Sequence, residues 1–534
     1  MLATLVTAVT SGLHGALVRV EVDVSPGLPV CHIVGLPDAA LSEARERVRA
    51  AIRNAGFAYP ASRITVNLAP ADRRKHGAAY DLAIAVGILV ASEQIRTGGG
   101  AWALLGELSL DGTVRPIAGV LPMVATLARA GHRRVAVPAA NAAEARLVEG
   151  VEVVGLQGLD DAARLVAGPR GRRAMGATRR PTIGISGSPA HAAPDAETGG
   201  DGGEVTLVAG VDPVDLAEVR GQPFARWALE IALAGGHNLL MVGPPGAGKT
   251  LLARAIPGLL PRLDDAEALE VAVIASVAGL LGEGRRLARQ RPFRAPHHTA
   301  SYAALVGGGP RLLPGEVTMA HRGTLFLDEL AEFDRGVLDA LRQPLEEGSV
   351  VISRAAGQVR YPARIQLVAA MNPCRCGYWG DPERACRCAP GEPERYVRRV
   401  SGPLLDRLDL RVGLLRVRPQ ELLSGPSPEP SAAVAARVAL ARERARARNG
   451  GRLNAELSGT ESLRTAAPDG RARSRLAELA EIGHLSARSV HRLLRVARTI
   501  ADLEGAERVG ETAILAAAGL GDPGGDRLAA ASAA

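Results

Sequence analysis

Lysine is almost absent from this chain of 534 residues: Lys75 and Lys249 are the two it has, and arginine carries the rest of the positive charge. A chain so biased keeps a lysine where a planar arginine fork does not fit, because the two cations differ in shape and hydration. Aromatic residues make up 3%. The cores must therefore come from Leu, Val, Ile and Ala, and stacking can be only a minor term in any nucleic-acid binding. With five cysteines, a disulfide-stapled secreted fold is not indicated. No apolar run reaches the roughly 18 residues of a membrane helix, so no membrane partner is expected. Met1 to Val6 has no positive residue ahead of its short apolar stretch and does not read as a signal peptide. The expectation is a cytoplasmic protein. The formal charge of +8 permits a polyanionic partner without requiring one.

Lys249 lies in Gly243-Pro244-Pro245-Gly246-Ala247-Gly248-Lys249-Thr250, a complete G-x-x-x-x-G-K-[ST] loop. Its backbone N–H groups can cradle phosphates, the lysine can reach the β- and γ-phosphates of ATP, and Thr250 can offer its hydroxyl to Mg²⁺. His237 to Val242 reads as a strand before the loop and Leu251 to Ile256 as a helix after it, the context the motif demands.

Short strand-like and helix-like runs alternate over residues 1–168. Val18 to Val24 alternates apolar and charged residues as a half-buried strand does, and Arg63 to Leu68 reads as another strand. Ser42 to Asn54 fits an amphipathic helix with Ser42 as N-cap. Residues 169–203 are rich in Pro, Gly, Ser, Thr and Arg without apolar period, a linker. Residues 204–415 read as one α/β nucleotide-binding module. Residues 416–534 are helix-rich, with Arg437, Arg442, Arg444, Arg446 and Arg448 crowded together and a frayed tail.

Thr324-Leu325-Phe326-Leu327 is an apolar run ending in Asp328-Glu329. In a phosphate-loop ATPase the first acid holds Mg²⁺ and the second can polarise the attacking water. Ile365 to Met371 reads as a second buried strand with Asn372 at its tip, placed to sense the γ-phosphate or simply to turn the chain before Pro373. Arg407 stands between Asp406 and Asp409. It fits either a local salt bridge or an arginine finger that reaches a neighbouring subunit's γ-phosphate. Arg488, Arg492 and Arg495 fall on one helical face by their spacing. Arg488 could reach the nucleotide from that helix; a solvated basic face is the alternative.

Arg291-Pro292-Phe293-Arg294-Ala295-Pro296-His297-His298-Thr299, Leu305-Val306-Gly307-Gly308-Gly309, Pro314-Gly315-Glu316 and Leu404 to Leu410 resemble the magnesium-chelatase-like AAA+ ATPases of the YifB/ComM type. The resemblance covers nearly the whole chain except the linker and tail. It implies an α/β fold: an AAA+ P-loop core with a C-terminal helical lid. It implies a homo-oligomer, a hexameric ring, and for ComM members branch-migration helicase action on DNA in natural transformation and recombination. It also implies the roles of sensor 1 for Asn372, arginine finger for Arg407 and sensor 2 for Arg488.

Arg74 to Ala85, Gly106 to Gly112 and Pro116 to Gly119 resemble the Lon-protease α+β domain, whose chemistry needs a serine and a lysine. The serine's position holds Ala79, and Val120-Leu121-Pro122-Met123 supplies no base. Without hydroxyl or amine no acyl intermediate can form, so the reading is a scaffold or assembly domain; Lys75 fits a surface or phosphate-contacting cation.

Cys374-x-Cys376 and Cys386-x-Cys388 are separated by nine residues. Four thiolates can hold Zn²⁺ tetrahedrally and staple a polar segment; reduced structural thiols are the alternative, since C-x-C is a weaker signal than C-x-x-C. Cys31 reads as a buried small hydrophobe. Val350 to Arg354 and Val359 to Tyr361 read as a hairpin flanked by Arg354 and Arg360. In a ring it could line the pore together with the Thr299–Gly309 loop, gripping a DNA backbone; a structural hairpin is the alternative. The functional expectation is a DNA-translocating ATPase. Its rivals are the motor subunit of a metal chelatase, disfavoured so that no tetrapyrrole partner is expected, and an ATP-dependent protease, which lacks its nucleophile.

Overall fold

In the computed structural model the described residues are 1–35, 39–70, 78–98, 100–171, 208–209, 212–281, 287–309, 312–354, 357–424 and 428–521. Lys75, the linker from residue 172 and the tail beyond Gly521 lie outside them.

Two sheets organise the chain. The first has seven strands in the order Val30–Val34, Arg63–Ala69, His14–Ser25, Leu2–Ser11, Ala103–Leu104, Arg134–Pro138, Glu152–Leu156. Leu2–Ser11 and His14–Ser25 form an antiparallel hairpin in unbroken register from Leu2↔Asp23 to Ser11↔His14. Val18, Val20 and Val22 all turn into the core, as their alternation with charged residues requires. The helix expected from Ser42 begins three residues earlier, at Ala39, and ends at Asn54 as read. Asp81–Ala91 is buried throughout, because its side chains are apolar on every face after the first residue.

The second sheet is wholly parallel: Val208–Ala209, Phe293–Arg294, Thr324–Leu327, Gln366–Met371, Leu239–Val242, Leu410–Gly413. Its three central strands are buried at every position, which is why they read as continuous apolar runs rather than alternating ones. Helices Pro223–Gly235 and Lys249–Leu259 share one core with the C-terminal helices Ser431–Arg448, Ala487–Glu504 and Glu511–Leu520.

Arginines join that helical end to the sheet. Arg442 Nε donates to Leu233 O at 2.7 Å, Arg448 pairs with Asp502 at 2.7 Å, and Arg437 pairs with Glu230 at 2.6 Å. Arg444 donates to Asp502 O at 2.6 Å and Arg446 pairs with Glu267 at 3.3 Å. A planar fork can bridge several carbonyls and carboxylates at once, and the crowded arginine stretch is used this way. The first sheet's unit meets the second through Ser276: Gly119 N donates to its carbonyl at 2.8 Å, and Leu121 N donates to its hydroxyl at 3.2 Å.

Candidate nucleotide-binding site

The strand Leu239–Val242 ends at the carboxyl edge of the parallel sheet and hands the chain to the phosphate loop, the edge at which open α/β sheets bind ligands. Gly246 and Gly248 have φ of 80° and 91°. That left-handed backbone, costly for a residue with a Cβ, wraps the loop into the N-terminus of Lys249–Leu259. A helix N-terminus there favours anions.

The Lys249 side chain is buried and lies inside the loop, donating to Gly243 O at 2.6 Å, Pro244 O at 3.0 Å and Asn372 Oδ1 at 3.1 Å. Burial pushes its ammonium down to about 8, against the opposing pull of the Asp328 and Glu329 carboxylates. Thr250 Oγ1 donates to Asp328 Oδ2 at 2.6 Å. A hydroxyl and a carboxylate facing each other beside a phosphate cradle are the hard oxygen donors that Mg²⁺ takes along with substrate phosphates. Glu329 follows at φ 52°, an uncommon backbone for a non-glycine residue and one that gathers at functional sites. Its carboxylate is half exposed and within 2.9 Å of His298 Nδ1.

Phosphate loop, Asp328-Glu329 and Asn372 are thus brought to one place by three adjacent parallel strands. Arg407 and Arg488 are not. Arg407 precedes the strand Leu410–Gly413, and its carbonyl accepts from Asn238 Nδ2 at 2.9 Å. Asn238 sits at the amino end of the strand whose carboxyl end opens the phosphate loop, so about four strand residues, roughly 13 Å, separate the two. Arg407 pairs with Glu346, and Arg488 pairs with the same carboxylate at 3.4 Å. Arg488, expected to reach a nucleotide from the lid, stands beside Glu346 and Arg407 rather than beside the phosphate loop of its own chain. Only part of its helix face is solvated. Arg492 donates to Leu408 O at 3.4 Å and Arg495 to Ala455 O at 3.0 Å, leaving Arg488 the most exposed of the three.

The sulfurs of Cys374, Cys376, Cys386 and Cys388 all lie within 4.8 Å of one another. Their loop packs against the phosphate loop: a Cβ on Gly377 would stand 2.5 Å from Pro245 Cδ. Cys31 is half-buried in its strand, packed at the edge of the first core. The hairpin forms as Ser349–Arg354 and Gly357–Pro362. It touches the Thr299–Gly309 region, since Tyr361 Oη donates to Leu312 O at 2.6 Å and Ile352 lies against Gly307. Ala79 is buried at the start of Asp81–Ala91, where its carbonyl accepts from Gly106 N at 3.3 Å.

Two residues of the site went unread in the sequence. His298 was visible only as half of a His-His pair; its signal was that the preceding strand Phe293–Arg294 runs parallel beside Thr324–Leu327 and so delivers the histidine to the edge that carries Glu329. Gln222, at φ 121°, donates to Ala247 O at 3.0 Å and ties the phosphate loop to the turn before Pro223–Gly235. Its signal was the Gly221-Gln222-Pro223 turn opening a long apolar helix.

Three family models match in succession: subunit ChlI of Mg-chelatase over residues 20–141, magnesium chelatase, subunit ChlI over 215–422, and the ChlI C-terminal part over 428–520. Protein Rv2897c of Mycobacterium tuberculosis is 45% identical, over 95% of this chain and 96% of its own. YifB of Salmonella typhimurium is 42% identical over 95% and 94%, and competence protein ComM of Haemophilus influenzae 41% over 95% of both. The chain belongs to the YifB/ComM family of magnesium-chelatase-like AAA+ proteins. An ATPase using ATP and Mg²⁺ is what that family supports. A shorter similarity, 29% over 151 residues, links part of it to Lon protease 2 of Bacillus subtilis. No helix among the described residues is long and apolar enough to cross a membrane.

Proposed function

We propose that this chain is an ATP-hydrolysing AAA+ motor that acts on DNA, working in the cytoplasm as a hexameric branch-migration helicase in recombination or natural transformation. One observation carries the reading. The phosphate-binding residues sit at one end of the parallel sheet, and Arg407 and Arg488, which share the Glu346 carboxylate, sit at the other. A complete hydrolytic site then needs two copies of the chain, as in a ring.

In this reading Lys249 and the loop amides neutralise the triphosphate, Thr250 and Asp328 hold Mg²⁺, which supplies charge neutralisation, and Asn372 senses the γ-phosphate. Glu329, oriented by His298, polarises water. Arg407, and Arg488 with it, come from the neighbour. The hairpin and the Gly307–Gly309 turn supply flexible backbone and cations for a DNA backbone. The competence name of a relative 41% identical over 95% of both chains supports the DNA assignment. Residues 1–168 serve as a Lon-like assembly domain without peptidase chemistry, residues 169–203 as a linker, 204–415 as the AAA+ core and 416–534 as lid and tail. Zn²⁺ in the four thiols is a structural ion.

ATPase and strand-displacement assays on forked and four-way DNA test the reading, with Lys249→Ala and Glu329→Gln as controls. DNA-stimulated turnover lost in both variants is expected. Turnover indifferent to DNA, but dependent on a tetrapyrrole and a partner subunit, would move the chain to the metal-chelatase motor that the ChlI matches also suit.

A further inference from the structure

Beside the phosphate loop lies a cavity of about 210 Å³. Gly243 and Pro244 form one side and Leu414 and Leu415 another, while Trp379 and Phe224 bring aromatic rings to it. Most of this lining is apolar. A cleft of that character, beside the first residues of the phosphate loop, is suited to a flat heteroaromatic ring, because base–aromatic stacking does not depend on hydrogen-bond readout.

The wall that carries Trp379 is the cysteine loop. Sulfur contacts help to hold that wall in place. Residues 383–390 have no fully buried member, and Trp379 N donates to Cys374 Sγ at 3.3 Å while Arg387 N donates to Cys376 Sγ at 3.4 Å. Cys374, Cys376 and Cys386 stand 3.4, 3.5 and 3.7 Å apart, far beyond the roughly 2.05 Å of a disulfide. They approach the ~3.8 Å edge of a tetrahedron whose metal–sulfur bonds are about 2.3 Å. N–H groups aimed at sulfur are the outer contacts that orient thiolate ligands. Around the cluster, Arg416 pairs with Asp381 at 3.2 Å and lies over the Tyr378 ring at 5.1 Å, tying the loop to the chain just after Leu410–Gly413.

We propose that Cys374, Cys376, Cys386 and Cys388 hold one Zn²⁺ and that this ion fixes Trp379 as the stacking wall for the base of the bound nucleoside triphosphate. The metal takes no part in hydrolysis. It acts through Trp379, a positioning device for the base, and it deepens the ATPase reading on which it rests.

The full chain, produced in zinc-supplemented medium and purified without a metal-affinity column, is expected to carry about one zinc per chain by elemental analysis. Stripping it with a thiol-competing chelator should raise KM for ATP about tenfold and lower kcat little. Binding of inorganic tripolyphosphate, which has no base, should not move. Trp379→Ala should give the same split while keeping its zinc, which separates the effect from misfolding, and Trp379→Phe should restore the KM. Protein without zinc, or an ATP KM indifferent to both stripping and Trp379→Ala, overturns the inference and leaves the ATPase reading standing. A chain that binds neither ATP nor tripolyphosphate overturns both.

Discussion

Lys249 occupies a position where its charge is costly until a polyanion arrives. Burial holds its ammonium down to about 8; a triphosphate beside it would favour the charged form and raise that value again. Below pH 8 the lysine is already charged, so ATP affinity should be flat. Above it, binding must draw in a proton, and affinity should fall by up to tenfold per pH unit. Titration calorimetry at about pH 9, in two buffers of different ionisation heat, should report uptake approaching one proton; heats independent of the buffer would count against Lys249 as the phosphate contact. His298 makes a second residue-level case. Its ring lies tilted against that of His297 at 4.1 Å between centroids and stands 2.9 Å from Glu329. His298→Ala is expected to lower kcat by roughly 10- to 100-fold, less than the roughly 10²–10⁴ of losing the base in Glu329→Gln, with KM for ATP nearly constant. A change in KM alone would mean that the histidine packs without orienting the acid.

Elements explain what could be read in advance. The phosphate loop, Asp328-Glu329 and Asn372 each stand at the end of a short apolar strand, and parallel strands put all their carboxyl ends on one edge, so local pattern was enough to gather them. Arg407 and Arg488 depend on strand order and on where the helix Ala487–Glu504 docks. Neither leaves a mark in nearby residues, and only the fold sends both to Glu346. The same holds for the first sheet, whose period was legible in Val18, Val20 and Val22 while its central ion pair was not. Asp81 opens a fully buried helix and accepts from Arg47 Nε at 2.9 Å and Nη2 at 3.2 Å, across 34 residues of sequence. Removing one partner of such a pair strands a buried charge, a loss of about 3–5 kcal/mol. Arg47→Met should therefore lower the melting transition of this unit by several degrees near neutral pH. Burial already pushes the Asp81 carboxyl up to about 6. Protonation in acid relieves the stranded charge, so the deficit should shrink below pH 6 and be largest above it. Calorimetry of the full chain at about pH 5 and pH 7.5 would check this, and an equal deficit at both would mean that packing, not charge, is what Arg47 contributes.

At the scale of the whole molecule, the proposed two-copy site rests on one arrangement: the phosphate loop lies at one end of the parallel sheet and the Arg407–Glu346–Arg488 cluster at the other. Glu346 pairs with both Arg407 and Arg488. A γ-phosphate offered by an adjacent copy carries more charge than one carboxylate and could draw both guanidinium groups away. Two crippled proteins should then repair each other. Lys249→Ala lacks the lysine that contacts the phosphates but presents both arginines; Arg407→Ala keeps its lysine but presents Arg488 alone, and should by itself lose roughly 10³–10⁵ in kcat. Mixed under conditions that exchange subunits, each Arg407→Ala loop that happens to face a Lys249→Ala arginine regains a complete site. ATPase activity should rise to a maximum at an intermediate ratio, far above the sum of the two parts. Adding Arg407→Ala to the same chain as Lys249→Ala must abolish the rescue, since that chain offers neither Lys249 nor Arg407. If the mixtures yield no more than the sum of their components while size analysis shows mixed assemblies, hydrolysis is completed within one chain, and the separation of the arginines from the phosphate loop has no bearing on catalysis.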